Sequence, residues 1–149
     1  MAALAVVPAL AFDARLLRDP VRAPLPAIER YQYVEGWPSG YGWRGAYDFL
    51  RLAGRRGGQG IAVLTEARNP TLPAYFLADR TVRIRGIDPA DPQARELVGR
   101  WAKTRPTYLV TSDPAPRFDW VPELRAEHVA AFSKPGGKVL LNVYRLMSR

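Results

Sequence analysis

The sequence has no cysteine, a single histidine and two methionines in 149 residues. The first absence excludes a disulfide framework and thiolate chemistry, though it does not assign a compartment. The second leaves His128 alone to serve any histidine-based metal site or Ser-His-Asp relay. It falls in a strand-like segment and is expected to face solvent or a hydrogen-bond partner. No apolar run reaches the roughly 20 residues that a membrane-spanning helix needs. No run of five or six like charges marks a binding tail.

What is present is ordinary in amount and skewed in charge. The chain is 48% hydrophobic and 24% charged, enough for one domain with a core of its own. Net charge is +8, supplied almost wholly by arginine. Such a balance favours an anionic partner: nucleic acid, an anionic lipid surface or a phosphorylated ligand.

The N-terminus reads Met-Ala-Ala-Leu-Ala-Val-Val-Pro-Ala-Leu-Ala-Phe and is followed by Arg15, Arg18 and Arg22. It is too short to span a bilayer and has no cation before its apolar run, so it does not read as a secretory signal. It reads as the outer end of a last transmembrane helix, with arginines at headgroup level. Three prolines between Asp19 and Pro26 make an extended connector. Residues 1–27 are therefore expected to form a membrane-proximal arm, and residues 28–149 a soluble domain.

Within that domain Tyr31–Val34 reads as a short strand and Glu35–Gly42 as turn. A helix is expected over Trp43–Ala53, stopped by Gly54-Arg55-Arg56-Gly57-Gly58. Ile61–Thr65 is an unbroken apolar run, the pattern of a strand covered on both faces. Leu72–Ala78 suggests a short helix capped by Thr71, and Val82–Ile87 alternates like a strand nearer an edge. Asp91 and Pro92 open a second helix with Ala94, Leu97, Val98, Trp101 and Ala102 on one face. Tyr108–Thr111, Glu127–Ser133 and Val139–Leu146 complete the strands, the last two joined by Lys134-Pro135-Gly136-Gly137. The expected class is α/β: a small three-layer Rossmann-like sandwich, mostly parallel, ending in an antiparallel hairpin.

Several motifs tempt. Gly40-Tyr41-Gly42-Trp43-Arg44-Gly45 is a literal G-x-G-x-x-G, with Glu66 at the position of a ribose-binding acid. Yet Glu35–Ser39 separates it from its strand, so the backbone would not meet a pyrophosphate directly. The Lys134-Pro135-Gly136-Gly137 loop is similar to one in methyltransferases, but Glu66–Pro70 holds no glycine for cofactor approach. Tyr31, Tyr33, Trp37, Tyr41 and Trp43 suit base stacking, with only Arg30 and Arg44 beside them, and equally suit a membrane interface. A small polar site is best placed at the C-terminal strand edge, on Thr65, Glu66, Ser112 and Asp113. Turn and cap duties compete for the same residues. No carboxylate pair can be given acid and base roles, and no cofactor is implied.

The string Gly36-Trp37-Pro38-Ser39-Gly40-Tyr41-Gly42, preceded by Tyr31-Gln32-Tyr33-Val34-Glu35, resembles the segment after the last transmembrane helix in bacterial membrane glycosyltransferases of family 39, relatives of dolichyl-phosphate-mannose protein mannosyltransferases. Phe12-Asp13 and Asp19-Pro20 upstream, and the hairpin ending Val143-Tyr144-Arg145-Leu146, extend the resemblance over nearly the whole chain. It implies an extracytoplasmic domain on the cell membrane. The parent would move a sugar from a polyprenyl-phosphate donor, and its catalytic residues lie in a membrane portion that this chain does not contain. The partners implied are that membrane portion, an anionic lipid surface or a polyprenyl phosphate, and not nucleic acid. The alternatives are a free-standing nucleotide or cofactor binder and a basic nucleic-acid-binding module. In the glycine-rich string, Pro38 and the three glycines suit a rigid turn.

Overall fold

A computed structural model describes residues 3–35, 40–58, 60–66, 80–135 and 140–149. The chain is α/β, with a five-stranded mixed sheet in the order β2-β1-β3-β5-β4. The strands are β1 (Ile61–Glu66), β2 (Val82–Ile87), β3 (Thr107–Thr111), β4 (Leu124–Ser133) and β5 (Leu140–Ser148). β1 lies parallel to both β2 and β3, while β5 runs antiparallel to β3 and β4. A parallel core finished by an antiparallel hairpin is what the strand spacing anticipates.

Two helices cover the sheet, and strand periodicity divides the core between them. Helix α3 (Trp43–Arg56) sets Trp43, Ala46, Tyr47 and Leu50 against Ile61, Val63, Val110, Leu141 and Val143. Helix α4 (Pro92–Thr104) sets Ala94 and Val98 against Leu64, Ile87, Leu109 and Tyr144. β3 is buried at every residue, as a central strand must be. β2 is an edge strand, with Arg83 and Arg85 exposed along it, charges that discourage pairing with another chain.

The local chemistry explains the ends. Asp91 caps α4 by accepting a hydrogen bond from the Gln93 amide at 2.9 Å, and Pro92 occupies the first turn. The helix stops at Arg105, the residue before Pro106. α3 begins after Gly42, whose φ of 86° places it in the left-handed region.

Two expectations are corrected. Tyr31–Val34 is no strand: it belongs to a π-helical turn (Tyr31–Glu35) that continues α2 (Ala27–Arg30). Its residues do not alternate, since Tyr31, Gln32 and Tyr33 are all exposed and only Val34 is buried. Arg30 fixes the turn instead, donating to the Val21 and Ala23 carbonyls and pairing with Glu35 at 3.7 Å. Secondly, α3 runs through Gly54 to Arg56. Gly54 does not break it but packs on Thr81, where a Cβ would stand 3.0 Å from the hydroxyl.

The apolar N-terminus forms helix α1 (Ala3–Arg18), with Leu17 85% exposed. No helix among the described residues is long and apolar enough to cross a membrane. The expected helix at Leu72–Ala78 lies outside the described residues.

Candidate functional site

Parallel strands place their C-termini on one edge, and here that edge holds all four sequence-selected residues. The order begins β2-β1-β3, so the strand order reverses between β1 and β3, the place where open α/β sheets hold ligands. Thr65 lies beside it, in register with Gly86 on one side and Val110 on the other. It is fully buried, and its hydroxyl has no hydrogen-bond partner among the described residues. Glu66 closes β1 opposite Ile87. Ser112 and Asp113 follow the last residue of β3, which pairs with Asn142 of β5.

Asp113 is engaged in a turn. Its carboxylate accepts from the Ala115 amide at 2.8 Å, and its own amide donates to the Thr111 hydroxyl at 3.0 Å. Asp88 does the same past β2, accepting from the Ala90 amide at 2.9 Å. Thus Asp88, Asp91 and Asp113 each hold a backbone amide, the turn-and-cap duty that competed with ligand binding in the sequence.

The structure adds Tyr144 and Asn142, which the sequence did not single out, and gives the lone histidine a hydrogen-bond partner. Tyr144 donates its hydroxyl to the Pro114 carbonyl at 2.6 Å, fastening β5 to the turn after β3. Burial, and then the nearby Asp113 charge, raise its phenol above the ordinary value. The His128 ring N–H donates to Asn142 Oδ1 at 3.1 Å and meets the Tyr144 ring edge-on at 5.1 Å. A bulge between His128 and Ala130 shifts the register there. Asn142 was legible as the one polar residue in the apolar run Leu140–Val143, though the tyrosine and the bulge were not.

Lys134, just past β4, is 2% exposed, and burial pushes its amine below the usual lysine value. A polar cleft of about 460 Å³ lies beside the same edge, between β2 and α4. Arg85, Asp88, Gln93, Arg100 and Trp101 are among its lining residues. Arg100 is paired with Glu96 at 3.7 Å.

Of the glycine-rich string, Gly40 and Gly42 are described and Gly36, Trp37, Pro38 and Ser39 are not. Both glycines have positive φ, 72° and 86°. A Cβ on Gly42 would meet the Phe132 carbonyl at 3.4 Å and Leu141 Cβ at 3.5 Å. These contacts lie at the end of the hairpin nearest Asp113, so Gly42 meets the sheet at the candidate edge. No protein family, curated protein or solved structure matches the chain.

Proposed function

We propose that the chain is the accessory extracytoplasmic domain of a membrane glycosyltransferase that transfers a sugar from a polyprenyl-phosphate donor. Its architecture is then a small three-layer Rossmann-like sandwich, with α3 and α4 as outer layers. The supporting observation is the seating of Gly42 against the hairpin residues Phe132 and Leu141. That contact fixes where the N-terminal arm joins the sheet. In this reading the candidate edge faces the membrane portion of the same enzyme, and the domain guides acceptor or lipid phosphate rather than doing chemistry. The engagement of Asp88, Asp91 and Asp113 with backbone amides agrees with a non-catalytic part.

Two measurements test this. The reading frame upstream of Met1 should encode several hydrophobic spans in frame. The purified chain, given a polyprenyl-phosphate sugar and an acceptor, should transfer nothing. Turnover by the chain alone would end the proposal.

One observation favours a second reading, a small-ligand binder between the ends of β1 and β3: the buried Thr65 hydroxyl, without a hydrogen-bond partner among the described residues. If that hydroxyl holds a ligand, Thr65→Val abolishes nucleotide binding measured by calorimetry. If no nucleotide binds the unaltered chain, this reading is lost.

A further inference from the structure

The opposite edge of the sheet has different chemistry. α3 ends there in Arg55 and Arg56, and α4 ends in Lys103 with Arg105 as its C-cap. Lys103, Arg105 and Arg145 line a shallow cleft of about 320 Å³, closed by Pro106, Leu146 and Met147. Among the described residues no carboxylate side chain lines it. Glu127 stands opposite Arg145 in the β4–β5 register, yet no ion pair joins them among the described residues.

The most telling group is Arg105. Its Nε is buried without a hydrogen-bond partner among the described residues. A buried donor in that state is costly and calls for an acceptor. Helix-dipole complementation accounts for a cation in the last turn of α4, which is Lys103. It does not account for Arg105, which lies past the last helical residue with its Nε turned from solvent. Nor does it account for Arg145, which comes from β5. Lys103 and Arg105, from the end of α4, and Arg145, from β5, share one cleft whose described lining holds no carboxylate side chain.

From this the geometry points to an anion-binding site built by Lys103, Arg105 and Arg145 at the N-terminal edge of the sheet, with a phosphate group as its ligand. A guanidinium fork matches phosphate oxygens, and three cations suit a multiply charged tetrahedral anion better than a single carboxylate. The site lies one length of α3 away from the Thr65–Asp113 edge, about 20 Å for a helix of this size. It stands independently of the glycosyltransferase reading.

The phosphate can belong to a soluble phosphoester or to a lipid headgroup, and the test separates the two. The intact chain is titrated calorimetrically with pyrophosphate. It is also co-sedimented with phosphatidylcholine vesicles, with and without phosphatidic acid. Saturable pyrophosphate binding is expected, weakened by about tenfold in Arg145→Gln and further in Arg105→Gln/Arg145→Gln. Added salt weakens it as well. The control Arg83→Gln/Arg85→Gln removes two cations from the β2 edge and should leave affinity unchanged. Because Arg145 is exposed, Arg145→Gln is informative even if Arg105→Gln fails to fold, which melting curves reveal. Pyrophosphate binding with this pattern assigns a soluble ligand. Binding to phosphatidic acid vesicles alone, with the same sensitivity, assigns a headgroup. Equal losses in the control, or no saturable binding of either probe, overturn the site.

Discussion

At the scale of single residues, the backbone sets sharper demands than the side chains. Gly60 has a φ of 68°, and a Cβ there would stand 2.9 Å from the Thr81 carbonyl oxygen. Gly40 has a φ of 72° but open space around it. Gly60→Ala should therefore destabilise more, by about 2–3 kcal/mol against about 1–2 kcal/mol for Gly40→Val. Urea unfolding of the two variants checks the order, and equal losses would mean that strain alone matters. Lys134 supplies a pH signature. Its folded pKa is lowered by burial, so between that value and the ordinary one the unfolded chain binds more protons. Stability attributable to Lys134 must rise with pH across that window, and Lys134→Met must remove the rise. Tyr144 acts in the opposite sense at the alkaline end. Its raised pKa means that stability falls once the pH passes the ordinary tyrosine value. Denaturation midpoints across alkaline pH, for both chains, separate the two contributions.

At the scale of elements, legibility followed local determination. α4 could be placed from sequence because Asp91 and Pro92 specify its start within two residues and its apolar stripe follows. Asp91→Ala should lower stability by about 1 kcal/mol, seen as a lower melting temperature. β1 and β2 were legible because continuous burial and edge alternation leave opposite signatures. Tyr31–Val34 misled because aromatic and β-branched residues favour strands only when a partner strand exists. Here Arg30 ties the segment to Val21 and Ala23, a contact of seven to nine residues' separation that no local pattern encodes. Gly54 misled for a related reason: a glycine marks a stop or a close approach, and only Thr81 distinguishes them. The candidate edge was legible as a set of strand ends. The Tyr144 hydroxyl bridging to Pro114 was not, since it spans 30 positions.

At the scale of the molecule, charge and attachment are unevenly distributed. Asp88, Asp91 and Asp113 follow the C-terminal ends of β2 and β3, whereas Arg55, Arg56, Lys103, Arg105, Arg125 and Arg149 gather towards the other edge. On α1, Leu10, Leu16 and Leu17 are exposed rather than packed into the core. Deleting residues 1–18 should leave the melting temperature within about 2 °C of the intact chain. A larger fall would show that α1 contributes to the core. The deletion spares Val21 and Ala23, on which Arg30 depends.

The polypeptide joins the sheet at one end, through Gly42, and leaves it at the other, where the Arg149 amide is hydrogen-bonded to the Glu123 carbonyl. β5, the last strand, is sandwiched between β3 and β4. Tension applied between those two attachment points would load both of its ladders in shear, so that many hydrogen bonds must yield together rather than unzip in turn. A domain tethered in this way resists mechanical extension along its strands far better than across them.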